Sequence, residues 1–132
     1  DSSKDTNKTA VSVKNKKGTA TYTVTLKNKK SKNQPAQVFY VDIKNILKDH
    51  SAKKIKISGV SVKCDGKTVS GMKAVAAGQL EKKEDPNKYR ISIYNRVGNK
   101  QNGDKTAGYA ASYGKKFKFK KSISVTFKIT IK

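Results

Sequence analysis

Hydrophobic and polar residues alternate one by one along much of this chain, which is the period expected of a half-buried β-strand. In residues 19–26 the even positions are apolar and the odd positions are all threonine. In residues 117–131 the apolar side chains all fall at odd numbers. This segment predicts one long strand, or two strands joined by a kink near residues 120–121, with Lys118 and Lys128 pointing outward.

Other segments carry shorter strand and turn patterns. Further strands are predicted at residues 11–13, 38–43, 54–63 and 89–94. Gly59 interrupts the alternation of its strand and predicts a bulge, and Asp65 with Gly66 predicts a tight hairpin turn. The helical spacing of Ile43, Ile46 and Leu47 predicts one helical turn that ends near residues 48–50. Many short strands with almost no helix predict an all-β fold, an antiparallel β-sandwich (jelly-roll-like) with one short helical turn.

The length and the polar start of the chain predict its domain organisation. The chain has 132 residues, which suits one domain. Residues 1–10 are rich in Ser, Thr and Lys and are interpreted as a linker remnant, and residues 11–132 as a single module. The sequence contains no stretch long enough to span a membrane and no signal peptide. We expect a monomeric module taken from a larger chain.

The charge balance indicates the kind of partner more clearly than any motif does. Lys and Arg number 31 against 9 Asp and Glu, so the formal net charge is +22. Such a charge repels itself in the folded state, and a negatively charged partner would offset that cost. Only Arg90 and Arg96 are arginines. Lysine is a point charge without the planar fork that reads guanine or grips phosphate, so nucleic acid is not the expected partner.

No constellation of residues indicates catalysis or a cofactor. His50 is the only histidine and is expected to be a surface residue in a basic, polar stretch, since a general base would need an orienting partner. The acidic cluster of Glu81, Glu84 and Asp85 contains lysines and lies in a predicted loop, so it does not suit a glycosidase pair. Cys64 is the only cysteine and is expected to be a small buried or half-buried apolar residue. We therefore expect a protein that is not an enzyme, with no metal and no cofactor.

The loop at residues 98–108 and the tyrosines are candidates for other kinds of site. The loop faintly resembles a calcium loop, but its lysines argue against a hard cation. The chain has no tryptophan, and Tyr22 and Tyr89 fall in core phase, whereas Tyr94 is expected to point outward. A flat aromatic strip that binds neutral cellulose is therefore not expected.

Most of the lysines are expected to be solvated surface residues, and a binding site needs cations held by ordered elements. Lys63 closes a predicted strand, Lys118 projects from another, and Lys48 ends the helical turn. Arg90 is expected to point outward from the strand at residues 89–94. These are the candidate ligand-binding residues, since binding would immobilise less side chain at positions that the backbone already fixes.

Two motifs resemble carbohydrate-binding modules of plant-cell-wall-degrading clostridia. One is the YRI-x-IYN-x-x-G pattern that starts at Tyr89, and the other is the V-x-V-x-x-DGK hairpin that starts at Val60. With the closing strand, the resemblance covers about residues 10–132. The lysine-rich surface is similar to the pectin-binding module family attached to pectate lyases (family 77). That resemblance implies a secreted module in which Lys48, Lys63 and Lys118 pair with the carboxylates of unesterified homogalacturonan and target a covalently linked catalytic domain.

Three other functions stay open at this point. A cell-surface retention module would bind teichoic acid or another anionic polymer of the bacterial wall. A nucleic-acid-binding protein would need a recognised motif, and none is found. A structural spacer or adhesin needs no ligand-binding site. Neither a nucleic acid nor a membrane is the expected partner.

Overall fold

Short antiparallel strands make up nearly all the regular structure of the computed structural model, which describes residues 9–29, 34–35, 38–70, 75–80, 82–95 and 117–132. The strands are β1 (Gly18–Lys27), β2 (Gln34–Pro35), β3 (Val38–Ile43), β4 (Ile55–Cys64), β5 (Lys67–Thr68), β6 (Ala76–Gly78), β7 (Tyr89–Asn95), β8 (Lys118–Phe119) and β9 (Ser122–Ile131). A four-residue helix, α1 (Ile46–Asp49), and a 3-10 turn (Ala52–Lys54) connect β3 to β4. The predicted helical turn is confirmed.

These strands form two sheets and a short two-stranded ribbon. The first sheet has four strands in the order β1-β9-β4-β5, and the second has three in the order β3-β7-β6. The strands β2 and β8 pair as a two-stranded ribbon. Every pair is antiparallel, so the predicted all-β antiparallel sandwich is confirmed.

The strand β9, one of the two inner strands of the four-stranded sheet, supplies much of the core. Its odd-numbered residues 123–131 are all buried, and Val125 and Phe127 have no exposed surface. They form one cluster with Ile91 and Ile93 of the three-stranded sheet. Burial of each such side chain contributes roughly 1.5–3 kcal/mol, so the strict alternation of β9 fixes which face points inward.

Two local distortions of β4 occur where the sequence predicts them. The register between β4 and β9 shifts between Ser58 and Ser61, and Gly59 has a φ of 61°. The following turn has φ values of 51° at Asp65 and 82° at Gly66. Positive φ at both central residues characterises the type I′ turn, whose twist matches that of the strands it joins.

Asp65 also fixes the kink between β8 and β9. Its Oδ2 accepts a hydrogen bond from the backbone N–H of Lys120 at 2.8 Å. Its Oδ1 accepts from the N–H groups of Lys121 at 2.6 Å and Ser122 at 3.1 Å. These donors favour the ionised form and lower the pKa of the Asp65 carboxyl. The hairpin turn is therefore attached to the start of β9 by side-chain as well as strand hydrogen bonds.

Some predictions fail or fall on residues that are not described. Tyr94 was expected to point outward, but it is fully buried with its ring centroid 5.3 Å from that of Phe117. The register between β3 and β7 shifts between Phe39 and Tyr40, so Tyr94 pairs with the buried Phe39 and this bulge turns its side chain into the core. Residues 11–13 form no strand, although Val13 packs against the core. The loop at residues 98–108 lies outside the described residues, and none of the described helices is long or apolar enough to cross a membrane.

Replacing Asp65 with asparagine should lower the free energy of unfolding at pH 7, because an amide oxygen accepts these N–H groups more weakly than a carboxylate. The folded-state pKa of Asp65 is depressed, so its stabilisation is present above the unfolded pKa and is lost as pH falls through the folded pKa. The difference in the free energy of unfolding between Asp65→Asn and the parent protein should therefore become smaller as the pH is lowered. Urea unfolding at several pH values measures it, and Glu84→Gln provides a matched loss of one exposed carboxylate. An Asp65→Asn difference that stayed constant with pH would contradict the account.

Candidate ligand-binding surface

The candidate cations predicted from sequence do not form one cluster. Lys63 is exposed near the end of β4, and Lys118 is exposed on β8 just before the kink that Asp65 fixes. Lys48 is exposed on α1, which precedes the start of β4. Asp49, next to Lys48, accepts a hydrogen bond from Asn15 just before the start of β1, whereas Lys63 pairs with Ser124 near the start of the antiparallel β9. The structure brings Lys63 and Lys118 to the same end of the molecule and leaves Lys48 at the other.

Arg90 is held in an ion-paired cluster on the outer face of the three-stranded sheet. Its Nε donates to Asp42 Oδ1 at 2.8 Å, and its Nη2 donates to Oδ2 at 3.0 Å. Its guanidinium carbon lies 3.8 Å from the ring centroid of Tyr40, which is 44% exposed. Lys88 Nζ lies 3.4 Å from the same carboxylate. The guanidinium of Arg90 is thus engaged with Asp42 and Tyr40. Its contact with a ligand stays a prediction.

Exposed lysines are concentrated where β4 turns into β5 and β8 leads into β9. We call this region the basic end, and its members are Lys63, Lys67, Lys118, Lys120 and Lys121. The pairing of Cys64 with Lys67 and the hydrogen bonds of Asp65 place the hairpin beside the kink. Asp65 is the only acidic residue at this end among the described residues, and its oxygens accept three backbone N–H groups. The lysines therefore produce a positive field that is only partly neutralised.

The outward side of the four-stranded sheet continues from the basic end. We call it the polar face, and it comprises the odd-numbered residues 19–27 of β1, the even-numbered residues 122–130 of β9, and Lys56, Ser58, Ser61 and Lys63 of β4. Every one of these side chains is a threonine, a serine or a lysine. None of the acidic residues in the described part of the chain lies on this face.

Hydroxyl pairs and one central lysine give the polar face its local order. Thr19 and Thr130 share a hydrogen bond of 3.0 Å between their Oγ1 atoms, and Thr23 and Thr126 share one of 2.8 Å. Lys128 lies between these two pairs along β9. Its outward direction was predicted from the alternation, but its place at the centre of the sheet required the strand order β1-β9-β4.

The remaining candidates for chemistry, His50 and Cys64, lie on different elements, at the end of α1 and the end of β4. His50 is half-buried, with Nε2 at 3.5 Å from the Asn15 backbone oxygen. Cys64 is half-buried, as predicted, and burial followed by the Asp65 charge raises the pKa of its thiol to about 11. Within the described ranges, no three His, Cys, Asp or Glu residues converge as a metal site would require. The raised pKa keeps the Cys64 thiol protonated near neutral pH, so it is a poor nucleophile there.

Comparisons with models of known protein families, with curated proteins and with solved structures gave no match. The function is therefore argued from the charges and geometry of the chain itself.

Replacing Asp42 with alanine should destabilise the fold by about 3 kcal/mol, because it leaves the charges of Arg90 and Lys88 largely buried and unneutralised. The side chains of Arg90 and Lys88 are only 14% and 11% exposed. Urea unfolding followed by circular dichroism measures the change. Asp49→Ala removes an exposed carboxylate that accepts from Asn15, and it should cost no more than about 1 kcal/mol. Equal losses in the two variants would show that the cluster adds no special stability.

The Cys64 thiol should react slowly with iodoacetamide in the folded protein at pH 8, because only the thiolate is nucleophilic and its pKa is raised to about 11. The rate should rise steadily as the pH approaches that value. The same chain unfolded in urea is the control, and it should react at the rate of an ordinary thiol. Folded and unfolded protein reacting at one rate would contradict the burial of this group.

Proposed function

We propose that this protein is a secreted, non-catalytic module that binds an acidic polysaccharide of the plant cell wall and targets a linked enzyme to it. The ligand is unesterified homogalacturonan, whose regularly spaced carboxylates pair with surface lysines. The observation that carries the proposal is the basic end, where five exposed lysines lie on the hairpin and strands that meet at Asp65, and the Asp65 carboxylate is already hydrogen-bonded to the backbone.

The arrangement of cations supports a polymer more than a small anion. The basic end lies on strands and a turn rather than in a deep pocket, and Lys63 and Lys118 project from paired strands. A flat display of this kind contacts successive units of a chain but cannot enclose one ion. Lysine as the sole cation of this region suits carboxylates, since it needs no bidentate geometry.

The expected affinity is modest. An exposed ion pair contributes roughly 0.2–1 kcal/mol, so several pairs with accompanying hydrogen bonds give a dissociation constant of about micromolar to millimolar. Charge attraction of this kind is screened over about 8 Å at physiological ionic strength. Binding should therefore weaken clearly as salt is added.

Isothermal titration calorimetry against polygalacturonate, highly methylated pectin and hydroxyethylcellulose, at low and high salt, tests the ligand. Polygalacturonate should bind, methylated pectin should bind more weakly because its carboxylates are neutralised, and hydroxyethylcellulose should not bind. A poly(glycerol phosphate) polymer and duplex DNA test the wall-retention and nucleic-acid alternatives. Equal affinity for every polyanion would contradict the proposal by reducing binding to general charge attraction.

The double variant Lys63→Ala/Lys118→Ala should weaken polygalacturonate binding about fivefold or more, since it removes two pairs at the basic end. The matched control is Lys82→Ala/Lys83→Ala, which removes the same charge from exposed positions in the turn before β7. Lys48→Ala tests whether the opposite end of the molecule, where α1 lies, contributes to polygalacturonate binding. If the basic-end variant and the control bind with equal affinity, the basic end is not the site.

A further inference from the structure

The polar face has a composition that β-propensity alone does not explain. Threonine is favoured in exposed strands, but so are valine, isoleucine and aromatic residues, and none of these appears on this face. The face also lacks acidic residues in its described positions, although opposite-charge pairs across strands would stabilise the sheet. The cations Lys27, Lys56, Lys63 and Lys128 thus stand among hydroxyls, with no ion pair to any described residue.

Lys128 is the best-positioned cation of this face. In the register it pairs with Thr21 on one side and Ser58 on the other. A Cβ atom built on Gly59 would lie 3.9 Å from Cγ and Cδ of Lys128, so the aliphatic stem of the lysine lies across the bulge. A stem that rests on the backbone loses less conformational freedom when its ammonium group binds an anion.

The dimensions of the polar face suit an extended chain. Its rows repeat about every 7 Å along the strands, its three strands span about 10 Å, and its five rows cover roughly 27 Å. Hydroxyls line this path on both sides of Lys128, so a ligand with both anionic groups and hydroxyls can use the whole surface. Duplex or single-stranded nucleic acid fits less well, because the face has no arginine, asparagine or aromatic side chain to contact bases.

We infer that the polar face is the track on which one acidic polysaccharide chain lies, running along β9 from the basic end toward Lys56. Lys128 pairs with a carboxylate at the middle of the track, and the threonine and serine hydroxyls exchange hydrogen bonds with sugar hydroxyls. This inference rests on the proposed function and extends its site beyond the basic end to residues that the sequence did not single out.

Affinity for polygalacturonate, measured by calorimetry on the full chain, tests the track. Lys56→Gln/Lys128→Gln should raise the dissociation constant about fivefold or more, whereas Lys82→Gln/Lys83→Gln, with the same net charge, should raise it less than about twofold. Thr21→Val keeps the charge, shape and strand preference and removes one hydroxyl beside Lys128, and it should weaken binding about two- to fivefold. Circular dichroism and urea unfolding verify that each variant is folded.

The outcomes separate this inference from the proposed function. No binding of polygalacturonate by the parent protein overturns both. Binding by the parent with equal losses in the Lys56/Lys128 and Lys82/Lys83 variants overturns the track and leaves the proposed function standing. Tighter binding of duplex DNA than of polygalacturonate, lost in the Lys56/Lys128 variant, would overturn the choice of ligand.

Discussion

The packing of β9 between β1 and β4 is the constraint on which the rest of this structure depends. Its odd-numbered side chains enter the core, and the strict period of two forces every even-numbered side chain onto the opposite face. A slip of one residue would bury Lys128 and expose Phe127, which the burial of apolar area prohibits. The same alternation that stabilises the sandwich therefore builds the polar face, and the core and the proposed binding surface are two sides of one strand.

A net charge of +22 destabilises a folded protein of this size through self-repulsion, and carboxylates neutralise it more on one surface than on another. On the outer face of the three-stranded sheet, Asp42 neutralises part of the charge of Arg90 and Lys88. At the basic end, the one described carboxylate instead receives backbone N–H groups. Stability alone would favour acidic residues among the lysines of the four-stranded sheet. Their absence from the described part of this face is what the proposed polyanionic ligand explains.

The sequence predicts the positions of strands and turns better than it predicts what each side chain packs against. Period-two patterns located β1, β4, β7 and β9, and an apolar run located β3. Asp65 with Gly66 marked the hairpin because positive φ restricts which residues a type I′ turn accepts. Strand order does not follow from such local signals. The prediction for Tyr94 is wrong because the alternation cannot reveal the register shift between β3 and β7 that pairs Tyr94 with the buried Phe39. Arg90 was predicted as an outward cation, but its pairing with Asp42 depends on the register of β3 and β7, which lie far apart in sequence.

The central claim is that the cations of one sheet face, rather than the total charge, bind an acidic polysaccharide. Titration of isotope-labelled protein with a short oligogalacturonate, followed by NMR of backbone amides and lysine side chains, tests it most directly. The account predicts that the largest shifts fall on residues of β1, β9 and β4 around Lys128 and extend to the basic end, while Lys48 and the Tyr40 face change little. Shifts of similar size at lysines on all sides of the molecule, or shifts centred on Tyr40, would contradict it.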